Sequence, residues 1–112
     1  MVHYQTRLDL RFGALADTTR RGILERLGKS EASISDLAAR FDMTLTGMKK
    51  HVRLLEDAGL VTTEKVGRVR TCKLGPHRLE DETIWMNKYR QMLEARLDSL
   101  GEFLARTKGD EP

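Results

Sequence analysis

The residues of this chain that are best suited to chemistry are cations, and they are concentrated in its middle third. Residues 44–78 contain eight lysines and arginines against three acidic residues, whereas residues 1–43 contain seven against six and residues 79–112 five against eight. Lysine and arginine neutralise phosphates, and arginine can bind a guanine edge through two hydrogen bonds. This segregation of charge predicts a surface that binds a polyanion.

Apolar residues at helical spacing, with capping residues beside them, predict the four helices that precede and carry this surface. The third and fourth helices are separated only by Asp42 and Met43, which suits a tight helix-turn-helix. The expected limits are about residues 4–15, Asp17 as N-cap to Gly28, Ser35 as N-cap to Phe41, and Thr44 or Thr46 as N-cap to Gly59.

After residue 59 the sequence changes period. The β-branched residues of LVTTEKVGRVRTCKLG predict a hairpin of residues 60–66 and 69–74, with Gly67 in its turn, and residues 79–107 are helical again. The order predicts a mainly α fold with one β-hairpin, a winged helix-turn-helix. We expect one domain over residues 1–112, with the helix-turn-helix at about 35–59, the wing at about 60–75, and dimerisation helices at about 4–15 and 79–107.

This layout assigns the cations to a DNA interface. Met48, Val52 and Leu55 form the apolar stripe of the fourth helix, so its polar side faces away from the core and can enter a major groove. The hairpin would lie along the phosphate backbone. The predicted DNA-binding residues are Thr44, Thr46, Gly47, Lys49, Lys50 and Arg53 on the helix, and Lys65, Arg68 and Arg70 on the wing.

The apolar stripe of the last helix is longer than three short helices and a hairpin can cover. Pairing this helix and the first helix across a two-fold axis would bury it, which predicts a homodimer rather than packing within one domain. The predicted interface residues are Tyr4, Leu8, Phe12, Trp85, Tyr89, Leu93, Leu97, Leu100 and Leu104.

The segments LADTTRRGILERL, ISDLAARFDMTLTGMKKHVRLLEDAGLV and GRVRTCKL resemble the ArsR family of bacterial winged-helix repressors over about residues 8–105. The resemblance implies a homodimer that binds double-stranded operator DNA and represses transcription until an effector, unknown here, relieves it. Lys49 departs from the family, where a small hydroxyl residue is usual. Ser33 and Ser35 match positions at which metal sensors of the family carry cysteines, and the last helix has no histidine, so no metal site and no cofactor are predicted.

Other classes of function are disfavoured or left as alternatives. No phosphate-binding glycine loop and no nucleophile–base set is recognisable, so no enzyme is predicted. No apolar run approaches a membrane span, and the single cysteine fits a reducing cytoplasm. The alternatives are a winged-helix protein-interaction module and a redox-responsive repressor that uses Cys72, if that thiol is exposed and activated.

Overall fold

The computed structural model describes the backbone of residues 2–109 and the side chains of residues 5–107. The chain divides into a compact unit that ends at Leu79 and a helical unit that begins at Glu80. The elements are α1 (Val2–Leu15), α2 (Thr18–Leu27), β1 (Ala32–Ser33), α3 (Ile34–Arg40), α4 (Leu45–Asp57), β2 (Val61–Val66), β3 (Val69–Leu74) and α5 (Glu80–Gly109). The predicted mainly α architecture with one β-hairpin is confirmed.

The core of the first unit is assembled from one face of each helix. Ile23 of α2, Leu37 of α3, and Met48 and Leu55 of α4 are fully buried, and Val61 joins them from β2. The apolar stripe that was predicted for the fourth helix is therefore its buried face. Fully burying side chains of this size contributes about 1.5–3 kcal/mol each, which makes this contact a main reason for the position of α4.

Two glycines occupy turns in the left-handed backbone conformation that favours glycine. Gly59 ends α4 with a φ of 77°, and Gly67 has a φ of 63° in the hairpin turn. Both values lie in the left-handed region, which a residue without Cβ adopts at little cost. Asp42, in the turn between α3 and α4, has a φ of 53°. Aspartate tolerates this conformation better than most non-glycine residues do.

The sheet has three strands in the order β1–β3–β2, and both pairings are antiparallel. The hairpin pairs Val66 with Val69 next to its turn and Val61 with Leu74 at its base. On the other side of β3, Ala32 pairs with Cys72, and Ser33 pairs with Thr71. Ala32 and Ser33 thus form a short extended segment that joins the start of α3 to the wing.

The capping residue of α3 differs from the prediction. Ser33, with φ −76° and ψ 160°, is the N-cap, and its hydroxyl accepts a hydrogen bond of 3.0 Å from the backbone N–H of Asp36. Ser35 already lies within the helix and is exposed, so the prediction that Ser35 caps it is wrong. The pairing of Ser33 with β3 holds this residue in the extended conformation that an N-cap requires.

Replacement of Ser33 by alanine should lower the free energy of unfolding by about 1 kcal/mol, because it leaves a first-turn N–H of α3 without its acceptor. Ser35→Ala is the matched control and should change stability by less than about 0.5 kcal/mol. Urea denaturation followed by circular dichroism measures both variants. Equal losses would contradict the assignment of Ser33 as the cap.

Candidate nucleic-acid interface

The fourth helix presents its cations to solvent because its opposite face is anchored in the core. Thr44 is the N-cap, and its hydroxyl accepts from the backbone N–H of Gly47 at 3.0 Å, which decides between the two threonines that could cap. Met48 and Leu55 are fully buried, whereas the intervening residues Lys49 and Arg53 are exposed. The helix therefore has one face for folding and another available for a ligand.

The wing closes over this exposed face and forms an open cleft of about 370 Å³. Lys49 lines it from α4, and Lys65, Arg68 and Arg70 line it from the hairpin. Residues 33–35, at the start of α3, also line the cleft, together with the apolar Leu45 and Val69. The structure thus brings four of the predicted DNA-binding cations, which are up to 21 positions apart in the sequence, onto one concave surface.

A second concavity of about 450 Å³ continues between α4 and the wing, and Arg53 joins Lys49 and Arg70 there. In this region Arg70 Nη1 donates a hydrogen bond of 3.0 Å to Thr63 Oγ1. Thr63 Oγ1 in turn donates to Glu56 Oε2 at 2.8 Å. This chain of two hydrogen bonds connects the wing to α4 and holds the guanidinium of Arg70 beside the cleft.

The remaining predicted residues of the helix lie outside both concavities. Thr46 and Lys50 are exposed on α4 but line neither of them, and Gly47 is partly buried beside the Thr44 cap. A Cβ built on Gly47 would approach Thr44 Oγ1 to 3.1 Å, so a larger residue would crowd the cap. Thr44 contributes to this surface through the helix start that it fixes.

A separate set of hydrogen bonds holds the opposite side of α4. Arg20 of α2 donates from Nε to the carbonyl of Ala14 at 2.9 Å and from Nη2 to the carbonyl of Gly13 at 3.1 Å. Arg20 Nη1 lies 3.1 Å from His51 Nδ1 on α4. The same arginine therefore contacts the end of α1 and the middle of α4.

Asp17 lies beside this arginine and caps α2. Its carboxylate accepts from the backbone N–H of Arg20 at 3.0 Å and lies 3.9 Å from His51 Nδ1. That hydrogen bond, together with the positive charge of Arg20 and against the effect of partial burial, lowers the pKa of Asp17. The carboxylate is thus a stable acceptor at neutral pH.

The apolar residues predicted for a dimer interface are mainly exposed on α5. Trp85 and Tyr89 stack with ring centroids 6.0 Å apart. All six of the predicted residues of α5 are between 44% and 56% exposed, and they recur along the helix: Trp85, Tyr89, Leu93, Leu97, Leu100 and Leu104. Neighbouring apolar residues, such as Ile84 and Phe103, are equally exposed.

The residues predicted on α1 differ from one another. Leu8 is only 7% exposed within the single chain, so little of its surface is left for a second copy. Phe12 is half-buried. The side chain of Tyr4 lies outside the described residues.

The thiol of Cys72 faces the core. The alternation of β3 places Arg70 and Cys72 on one face, and Cys72 is fully buried there, between Ala32 and Thr63 on the neighbouring strands. Burial, and to a smaller extent the charge of Glu56, raise the pKa of Cys72 to about 11. A buried thiol with so little thiolate is a poor nucleophile, which argues against the redox alternative.

A family model for a helix-turn-helix domain matches residues 15–64, from the end of α1 into β2. The transcriptional regulator YuzN of Bacillus subtilis, whose function is uncharacterised, is 41% identical over 69 residues, which cover 55% of this chain and 75% of YuzN. A crystal structure of an ArsR family transcriptional regulator is 40% identical, with a TM-score of 0.73, and the alignment covers 80% of this chain and 93% of that one. The chain belongs to the ArsR family of transcriptional regulators.

The arsenical resistance operon repressor of Escherichia coli is a further relative of this ArsR-family chain. It is 34% identical over 67 residues, which cover 59% of this chain and 57% of the repressor. Within the residues that the structure describes, no group of three or more histidines, cysteines or acidic residues is placed to hold a metal ion. Ser33 uses its hydroxyl as a helix cap, and Ser35 lines the cationic cleft.

The sequence did not predict the contacts that hold the cations of this ArsR-family chain in place. Glu56 and Thr63 support Arg70, and Arg20 contacts His51 across 31 positions. The seven-residue separation of Glu56 from Thr63 crosses a helix end and a turn, so no helical or strand period relates them. The one part of these contacts that the sequence indicated is in the motif LADTTRR, where Asp17 was predicted as a helix cap three residues before Arg20.

The buried thiol leads to a prediction. Cys72 in the folded protein should react with a thiol reagent such as dithionitrobenzoate only after unfolding, because it is both inaccessible and protonated. A Ser35→Cys variant provides the control, since position 35 is exposed, and its added thiol should react at once. Rapid modification of the folded wild type would restore the redox alternative.

Proposed function

We propose that this protein is a homodimeric transcriptional repressor that binds double-stranded operator DNA with α4 in the major groove and the β2–β3 wing along the backbone. The observation that carries the proposal is the cleft in which Lys49 of α4 meets Lys65, Arg68 and Arg70 of the wing. The polyanion that matches a helix beside a basic hairpin is duplex DNA, whose major groove admits an α-helix.

The register of the wing supports an anionic ligand. Lys65 and Arg70 are directly opposite each other in the β2–β3 ladder. Like charges at paired positions destabilise a hairpin, so this pair costs stability in the free protein. A phosphate between or beside the two cations would reverse that cost. Glu56, which reaches Arg70 through Thr63, offsets only part of the repulsion.

The roles of the individual residues follow from their positions. Lys49 and Arg53 on the exposed face of α4 would meet base edges or phosphates, and Lys50 and Thr46 would meet the backbone beside the groove. Arg68, next to the hairpin turn, would contact phosphates or the minor groove. The first turn of α4, capped by Thr44, would lie closest to the duplex.

We propose repression because the chain is related to the arsenical resistance operon repressor of Escherichia coli. We propose no enzymatic role because the chain belongs to a family of transcriptional regulators. None of the described helices is both long and apolar enough to cross a membrane. Since the proposed target is operator DNA, we place the protein in the cytoplasm.

The proposed dimer rests on α5. Its 30 residues extend about 45 Å at about 1.5 Å per residue, and apolar side chains are exposed along it from Ile84 to Leu104. Monomeric proteins rarely expose a continuous apolar surface of this size. Pairing two copies across a two-fold axis would bury it. The two copies of α4 would then read two operator half-sites, which are typically about 34–36 Å apart, one turn of the duplex.

DNA binding should be tested first with selection from a random pool of duplexes, followed by titration of the selected duplex at increasing salt. The affinity should fall steeply, with a log–log slope set by the number of phosphate contacts. Lys49→Ala should weaken binding and reduce the slope by about 1. Lys29→Ala, which removes the same charge from a residue outside the cleft, is the matched control and should change the slope less. Failure to select or bind any duplex even at low salt would refute the proposal.

The dimer has its own test. Leu97→Lys places a charge in the middle of the exposed stripe, and we expect it to shift the sedimentation mass from that of a dimer to that of a monomer. Lys88→Arg on the same helix, which preserves charge, should leave the mass unchanged. A wild type that sediments as a monomer at micromolar concentration, or a Leu97→Lys variant that stays dimeric, would contradict this assignment.

A further inference from the structure

The contact between Arg20 and His51 is not used by the proposed DNA interface. His51 lies on α4 between the exposed residues Lys50 and Arg53, yet its side chain is only 20% exposed and lines neither concavity. It is directed to the α1–α2 side, where Arg20 Nη1 lies 3.1 Å from its Nδ1. Through Arg20, which also binds the carbonyls of Gly13 and Ala14, the imidazole connects α4 to the end of α1.

The chemistry of this contact defines the protonation state of the imidazole. A guanidinium has only donors, so a hydrogen bond between these two atoms requires Nδ1 of His51 to accept, which it can do only in a neutral ring whose proton is on Nε2. Protonation of Nδ1 would place a donor against a donor and two positive charges about 3 Å apart. The hydrogen bond to Arg20 exists only while His51 is neutral.

The protonated imidazole has a different partner at hand. Asp17 Oδ2 lies 3.9 Å from His51 Nδ1 and is ionised at neutral pH. The charged groups that face His51 from α2 are therefore one cation, Arg20, and one anion, Asp17. On the α1 side, the groups that contact Arg20 are backbone carbonyls. Asp9 of α1 and Arg20 line the same cleft of about 270 Å³. Protonation would exchange the bond to Arg20 for a contact with Asp17, the residue that caps α2.

We propose that His51 is a positioning residue whose neutral form, held by Arg20, fixes α4 against the α1–α2 junction, and that protonation of His51 weakens DNA binding. The inference rests on the proposed DNA-binding function. Protonation of His51 would have two opposing effects on DNA affinity, so the direction of the measured change shows which effect is larger. An added positive charge alone would strengthen binding to phosphates. Loss of the hydrogen bond that holds α4 would weaken DNA binding. We expect this effect to dominate because His51 faces away from the cleft lined by Lys49, Lys65, Arg68 and Arg70.

The test compares wild type with His51→Asn on the selected duplex of about 30 base pairs, from about pH 8 to about pH 5.5, where histidine titrates. Asparagine places an acceptor near the position of Nδ1 but does not titrate, so it should preserve affinity at the higher pH. Wild type should lose about tenfold in affinity on acidification, the scale of one charge-assisted hydrogen bond, and His51→Asn should lose much less. His77→Asn, at a histidine outside this contact, should keep the wild-type profile.

The outcomes separate this inference from the function on which it rests. No binding to any duplex at the higher pH would refute the proposed function. Binding with the same pH profile in wild type and His51→Asn, or a wild-type affinity that rises on acidification through His51, would overturn the role of His51 alone. Imidazole nitrogen NMR of the DNA-free protein gives an independent readout. A proton on Nδ1 of His51 at the higher pH would also overturn it.

Discussion

The burial of one face of α4 is the constraint on which the rest of the molecule depends. Met48, Val52 and Leu55 occupy the centre of the core, so the helix cannot rotate without exposing them. The burial of these three residues sets the orientation of α4, and Lys49 and Arg53 face outward as a result. The proposed DNA-binding surface is in this sense a consequence of the hydrophobic core, and residues on it can vary without loss of the fold.

The wing has its own anchor, and that anchor is the cysteine. Cys72 packs in the core at the middle of β3, with Ala32 of β1 on one side and Thr63 of β2 on the other. This position holds the hairpin against the start of α3, and Arg70, two residues away on the same strand face, is carried over α4. A residue that looked like a possible redox sensor in the sequence is instead a small apolar residue that fixes the wing.

Periodicity and turn chemistry were enough to predict the elements but not the contacts between them. The stripe of α4, the caps Asp17 and Thr44, and the turn at Gly67 all arise from residues near one another in sequence, and the structure confirms them. The choice of Ser33 over Ser35 as a cap depends on pairing with β3, almost forty residues later. For the same reason a sequence pattern could group the cations by charge but could not show that they line one cleft.

The cleft collects positive charge that the described residues neutralise only in part. Arg70 is partly compensated by Glu56 through Thr63. Lys49, Lys65 and Arg68 line the same cleft, and the described residues form no salt bridge with these three. A bound polyanion would neutralise these charges, and any ligand that binds the folded state stabilises it by mass action. Stability and affinity are thereby coupled through the same charges. A substitution that removes a cation from the cleft should be tolerated by the fold more readily than by the function.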